Sequence, residues 1–234
     1  MGLVFNLRNN LGSLYAAFRL GRRPDQVKYV FMMGDRQDNL AEVARTAGQF
    51  RDPFACAEFE AMRASKYQPA PYDIAALAKL PEHTLGGTYG KFMLAGELRP
   101  DYYEEVPPRH KMHYLRLRLH QTHDIWHLLT GFDTDQFGEV GLQGFYFGQV
   151  TNGQSALIFA SAILKSLFRC RFDELERFIV FFCDGYNAGR QAHNLLPVKW
   201  EEHWRESIVA LRERYGIRQP ACVSTGNPPA AQLA

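Results

Sequence analysis

The stretch KMHYLRLRLHQTHDIWHLLT, Lys111 to Thr130, decides how the chain is read. Met112, Leu115, Leu119, Thr122, Trp126 and Leu129 recur at alternating steps of three and four, which marks one buried helical seam. Its middle, Leu115-Arg116-Leu117-Arg118-Leu119, also alternates as a strand would, but it is too short to outweigh the longer period. The spacing predicts a single central helix from about Arg109 to Thr130, closed by Gly131. Beside the seam, one position further on, runs a polar row: His113, Arg116, His120, His123 and His127.

His123, Asp124 and His127 form the chemical centre of that row. Residues four apart share a helix face, and at about 100° per residue His127 falls angularly between His123 and Asp124. Glu139 stands twelve positions after His127, beyond the turn Asp133-Thr134-Asp135, where the next helix can return a second carboxylate. Two imidazoles and two carboxylates make a donor set for one divalent ion. Zinc is the first expectation, with iron, manganese and magnesium also compatible. His-x-x-x-His alone is common by chance; metalloproteases place Glu directly after the first His, to activate water. Here that position holds Asp124, whose shorter side chain is better suited to binding an ion. The alternative reading is a pair of histidines at the border of the core beside a solvated acid. For Arg116 and His120 a solvated helix face is the favoured reading, and binding an anionic head group near the metal the other.

Working outward, every remaining periodic segment is helical. Leu7, Leu11, Leu14 and Phe18 give residues 1–23 an apolar face flanked by Arg8, Arg19, Arg22 and Arg23, which suits a helix packed on the protein or one lying on an anionic membrane surface. Residues 25–66 carry a core stripe at Leu40, Val43, Ala44 and Ala47. Asp73 to Leu80 reads as a short helix, and Tyr89, Phe92 and Met93 begin another. Arg99 to Pro108 is a proline-bearing linker. After Glu139 a helix runs through Phe145 to Gln149, Asn152 can cap another through Leu167, and Asp173 caps an apolar one. Trp200, Trp204, Ile208, Leu211 and Tyr215 define a last helix closed by Gly216. From Gln219, prolines and alanines suggest a disordered tail over 219–234. The expectation is one all-α domain over 1–218, with a metal-bearing central helix and an apolar lipid cavity.

Composition narrows the function. A net charge of +2 is too small for a nucleic-acid partner. Seventeen Phe and eleven Tyr are enough to fill a core and line a long apolar cavity; Phe145 and Tyr146 are candidate walls for such a cavity. Cys56, Cys170, Cys183 and Cys222 show no ligand spacing and read as reduced thiols. No run approaches the ~20 apolar residues of a membrane span, and no signal peptide is visible. A cytoplasmic protein with at most peripheral membrane contact is expected.

The combined pattern resembles a known family. His123-Asp124-x-x-His127 with Glu139 twelve positions on is similar to the signature of the coenzyme Q (ubiquinone) biosynthesis protein 4 family. Leu80-Pro81-x-x-Thr84-Leu85-Gly86-x-x-Tyr89-x-x-Phe92 resembles the stretch that precedes it there, and Leu211-Arg212-x-x-Tyr215-Gly216-Ile217 one that follows. The resemblance covers about residues 70–220 and is to a bacterial member, since residues 1–23 lack the character of the eukaryotic presequence. It implies an all-helical fold in which His123, Asp124, His127 and Glu139 all bind one divalent metal. It further implies a role in ubiquinone biosynthesis, a polyprenyl lipid or prenylated hydroxybenzoate as ligand, and other quinone-biosynthesis proteins as partners. Such a protein either removes the C1 carboxylate of its intermediate and leaves a hydroxyl, or acts as a non-catalytic scaffold holding the lipid. A homo-oligomer at the membrane face is expected. The rival class is a metal phosphohydrolase of the adjacent His-Asp type, for which His83 and Asp184 would have to join the metal and Glu139 would have no purpose.

Overall fold

The computed structural model describes residues 52–96, 111–150 and 153–224. The basic segment 1–23, the stripe at 40–47, the linker at 99–108, Asn152 and residues 225–234 lie outside the described residues. Ten α-helices make up the described chain: α1 Ala57–Ala64, α2 Ile74–Leu77, α3 Leu85–Ala95, α4 Lys111–Gln121, α5 His123–Thr130, α6 Gln136–Gln149, α7 Gly153–Phe168, α8 Phe172–Gln191, α9 Ile208–Tyr215 and α10 Ala221–Ser224. Two short 3-10 turns, Pro53–Ala55 and Trp200–Glu202, join them. No strand occurs among the described residues, so the all-α expectation holds.

The seam that predicted the central helix is buried where it should be, at Leu115, Thr122, Trp126 and Leu129. The helix itself is two. Thr122 interrupts it with φ −102° and ψ 2°, and its hydroxyl donates to the Arg118 carbonyl at 2.8 Å. A β-branched hydroxyl bonding back to residue i−4 competes with the helical ladder and bends it. The break re-aims α5, and the two histidines with it, relative to α4. Both helix stops expected at glycine are present: Gly131 at φ 82° and Gly216 at φ 63°. The last helix is shorter than its periodicity suggested, because Trp200 belongs to a separate 3-10 turn and Trp204 to the loop before α9. Phe172 starts α8, so Asp173 lies in its first turn rather than at the cap. Inside the stretch read as a tail, the Cys222 N–H donates to the Asp184 carboxylate at 3.0 Å, and α10 packs on α8.

The closest helix pair is α6 with α8. A Cβ on Gly185 would stand 2.0 Å from the Gly141 carbonyl oxygen, and one on Gly144 would stand 2.2 Å from that of Phe182. Backbone meets backbone here, which only glycine allows. Gly185→Ala must therefore push the helices apart, and we expect a loss of about 1–3 kcal/mol, the usual cost of overpacking. Thermal unfolding measures it; an unchanged midpoint would show that the crossing has slack.

α9 closes the other side. Arg212 donates to the carbonyls of Leu128 and Leu129, each at 2.8 Å, and so caps the C-terminal carbonyls of α5 that have no partner inside the helix. The backbone of α3's first turn is stitched to the loop before α9, Leu85 N–H donating to Glu206 O and Gly86 N–H to Trp204 O, both at 2.8 Å. The C-terminal end of α5 is thereby held by α9.

Candidate metal centre

The break at Thr122 starts α5 at His123, and the turn after Gly131 sends α6 back past it with Glu139 in its first turn. Asp135 fixes where α6 begins, accepting from Phe137 N–H at 3.1 Å and Gly138 N–H at 2.7 Å. Three side chains then converge. His123 Nε2 and His127 Nε2 are 3.2 Å apart. Glu139 Oε1 lies 3.2 Å from His127 Nε2, and Oε2 lies 3.6 Å from His123 Nε2. Tetrahedral bonds of about 2.0–2.1 Å to one ion would put donors about 3.3 Å apart. The observed edges bracket that value.

The far ring nitrogens determine what faces the centre. His127 Nδ1 lies 2.9 Å from the Phe132 carbonyl; a carbonyl only accepts, so Nδ1 carries the proton and Nε2 presents its lone pair. His123 Nδ1 lies 3.1 Å from the Tyr146 hydroxyl. That hydroxyl spends its own proton on the Leu119 carbonyl at 3.4 Å, which leaves its oxygen to accept from His123. Both imidazoles thus turn lone pairs toward Glu139, the arrangement that orients metal-binding histidines. Three acceptors this close repel unless a cation sits among them. The donor set fits a divalent ion.

With protons on the two Nε2 atoms in place of an ion, the same three groups form a charged cluster. Burial alone would raise the Glu139 pKa, but hydrogen bonds and charge from His123 and His127 hold its carboxyl well below the usual range. Burial pulls His123 down, yet the hydrogen bond and charge of Glu139, with the charge of Asp124, leave it raised. Glu139 is therefore an anion at neutral pH. His127 is sealed at 2% exposure while the Glu139 side chain stays 39% exposed, so the centre is most open on the Glu139 side.

On that side lies a cleft of about 510 Å³ lined by Phe92, Ala95, Gly96, Asp124, Thr134 and Glu139. Asp124 is in its wall, beside Glu139 but outside the cluster of donors within 4.8 Å of one another. Of the four residues singled out from sequence, three come together and the fourth flanks them. Phe145 is fully buried edge-on against Trp126, and Tyr146 is buried behind His123, so neither lines this cleft. Arg116 and His120 sit half-buried on α4, also away from its wall. His83 and Asp184 do not join the metal cluster; the Asp184 carboxylate is taken by the Cys222 N–H. The geometry thus withholds the extra ligands a phosphohydrolase needs.

The supporting roles of Tyr146 and the Phe132 carbonyl escaped the sequence reading. The second had a signal, since a left-handed glycine right after α5 turns the next carbonyl back toward His127. Tyr146→Phe should lower metal affinity roughly 10- to 100-fold with little change in fold, as measured by titration with a competing chelator; wild-type affinity would deny Tyr146 that role.

His120 gives a pH test. Burial, reinforced by the charges of His123, Arg116 and His113, pushes it down to about 4. The unfolded chain titrates this group near ~6.5, so between those values the unfolded state binds more protons and stability falls as pH falls. His120→Gln should flatten that part of the stability curve measured in urea, and an unchanged slope would assign it to other groups.

A family model described as coenzyme Q (ubiquinone) biosynthesis protein Coq4 matches residues 64–221. The mitochondrial ubiquinone biosynthesis protein COQ4 homolog of Aedes aegypti is 31% identical over 145 residues, 61% of this chain and 52% of its own. That of Rattus norvegicus is 31% identical over 159 residues, 63% of this chain and 56% of its own. The chain spans about half the length of the curated relatives it matches. A crystal structure from Nostoc punctiforme, provisionally described as a ubiquinone biosynthesis protein, superimposes with a TM-score of 0.74 at 30% identity, covering 90% of this chain and 99% of that one.

Proposed function

The chain belongs to the coenzyme Q (ubiquinone) biosynthesis protein Coq4 family, and from that premise we propose that it serves ubiquinone biosynthesis by binding a polyprenylated hydroxybenzoate at a single divalent metal. The observation that carries this is the convergence of His123, His127 and Glu139, lone pairs inward, at the foot of an open cleft. Asp124, already in the cleft wall, supplies the fourth donor. Zinc fits the mixed nitrogen and oxygen set best, with iron or manganese next.

The residues around the centre divide the tasks in this reading. Phe132 and Tyr146 hold the two imidazoles in the tautomer that binds. Glu139 and Asp124 bring negative charge that an ion neutralises, and Phe92 and Ala95 offer apolar surface to the start of an isoprenoid tail. When bound, the metal supplies a Lewis acid that polarises the carboxylate or a neighbouring phenolate. In the reaction proposed, the C1 carboxylate leaves as carbon dioxide and an oxygen from water takes its place as a hydroxyl. Two electrons and two protons are released with it, and dioxygen is an acceptor of the right class, leaving as hydrogen peroxide. The protein works from the cytoplasmic side, alongside other quinone-biosynthesis proteins.

Metal-loaded protein given a polyprenyl-hydroxybenzoic acid labelled in the carboxyl carbon tests the proposal. Labelled carbon dioxide should appear, and should vanish in His123→Ala. Lipid binding with no release would overturn turnover and leave a scaffold that presents the intermediate to other enzymes.

A further inference from the structure

The cleft beside the metal centre divides its polar and apolar groups. Phe92 and Ala95 of α3, with the capping Gly96, supply apolar surface. The remaining lining is polar: Asp124, Glu139 and Thr134. The two carboxylates are claimed by the ion in the reading above. Thr134 is not claimed, and its hydroxyl meets no partner among the described residues.

An exposed threonine on a turn is ordinarily just solvated, but this turn is fixed on both sides of it. Asp135 accepts from the Phe137 and Gly138 amides at 3.1 and 2.7 Å. Asp133 presses its carbonyl so closely on α6 that a Cβ on Gly138 would stand 2.0 Å from the oxygen, an approach that only glycine permits. Thr134 is thus carried between two anchored residues. Its β-branched side chain has few χ1 states to lose, so little ordering entropy opposes a bond made there.

Its place along α6 says which part of a ligand it meets. Asp135 caps the helix and Glu139 lies four residues further in, about 6 Å along the axis. Thr134 is one residue beyond the cap, which separates it from the metal-binding carboxylate by roughly the span of an aromatic ring. An aromatic acid with its carboxylate on the ion bridges that gap with the ring itself.

We propose that the Thr134 hydroxyl hydrogen-bonds the ring oxygen of the bound aromatic acid, and so selects ring-hydroxylated acids over their deoxy counterparts. Among the described side chains lining the cleft it is the one suited to donate, because the carboxylates accept and the α3 side chains do neither. A hydroxyl also accepts, so it serves a phenol and a phenolate alike. The inference rests on the metal-bound hydroxybenzoate proposed above and adds what reads the far side of its ring. Thr134 is a specificity residue here, with no part in binding the ion.

Metal-loaded protein is titrated calorimetrically with a farnesylated para-hydroxybenzoic acid and with the same acid lacking the ring hydroxyl. Wild type should bind the hydroxylated acid about five- to tenfold more tightly, the yield of one net hydrogen bond. Thr134→Val keeps the shape and loses the hydroxyl; it should bind both acids as wild type binds the deoxy one. Thr134→Ser should restore the preference, and metal content should be equal in all three proteins. A preference that survives Thr134→Val would overturn the proposal. So would equal weakening of both acids in that variant, which marks a structural role. Wild type binding both acids alike would also overturn it while leaving the metal-bound acid in place. Binding of neither acid to the loaded wild type would bring down the reading of the cleft, and this inference with it.

Discussion

Glu139→Ala, purified beside the wild type from metal-supplemented medium, should retain almost no divalent ion, an affinity loss of more than about 100-fold. Changing a residue that merely orients a ligand costs 10- to 100-fold, and Glu139 is itself a donor, 3.2 and 3.6 Å from the two imidazoles. Removing it also leaves two lone pairs facing each other 3.2 Å apart with no anion to balance a cation. Glu139→Gln separates the causes, since it keeps an oxygen and discards the charge. It should bind better than Glu139→Ala and far worse than wild type. Elemental analysis and competitive titration read both variants, and full metal occupancy in Glu139→Ala would end the single-site reading. Acidification should strip the wild type as well, because imidazoles that bind metal must give up a proton that low pH restores.

Arg118→Met carries the largest expected effect on stability. Its guanidinium pairs with Glu201 through two hydrogen bonds, at 2.9 and 3.2 Å, and also donates to the Gln121 side chain at 2.9 Å. Both side chains are almost wholly out of water, at 2% and 4% exposure. Deleting one partner strands the other charge in the core, which typically costs about 3–5 kcal/mol. For a chain of this size that lowers the thermal midpoint by roughly 10 °C or more. Arg118→Met with Glu201→Leu removes both charges and should recover most of the loss. A double variant as unstable as the single one would place the cost in packing rather than in the stranded carboxylate.

That ion pair shows where sequence reading stops. Arg118 lies in the run that alternates like a strand, and nothing local says it differs from Arg116. Its partner is 83 positions away, and only the packing of the Trp200–Glu202 turn on α4 brings them together. The same holds at the metal centre. The i to i+4 spacing of His123 and His127 is a local property of a helix, so it could be read directly, and Glu139 followed from the turn between. Asp124 shares that local logic, but where its short side chain ends depends on α3 and the cleft, and it ends in the wall. Tyr146 was legible only as an aromatic residue near a lipid-binding family's motif; its work on His123 depends on how α6 crosses α4 and α5.

By itself the sequence determined the helical class, the glycine stops at 131 and 216, and the two imidazoles with a returning carboxylate. All three rest on backbone period and on interactions within one or two turns. The tertiary structure alone decided the break at Thr122, the hydrogen bonds that turn both Nε2 atoms inward, the buried Arg118–Glu201 pair and the outward-facing tip of α7 and α8 at Phe168 and Phe172. Those are outcomes of which surfaces meet, and a sequence period cannot say whether an apolar stripe faces its own core or the solvent.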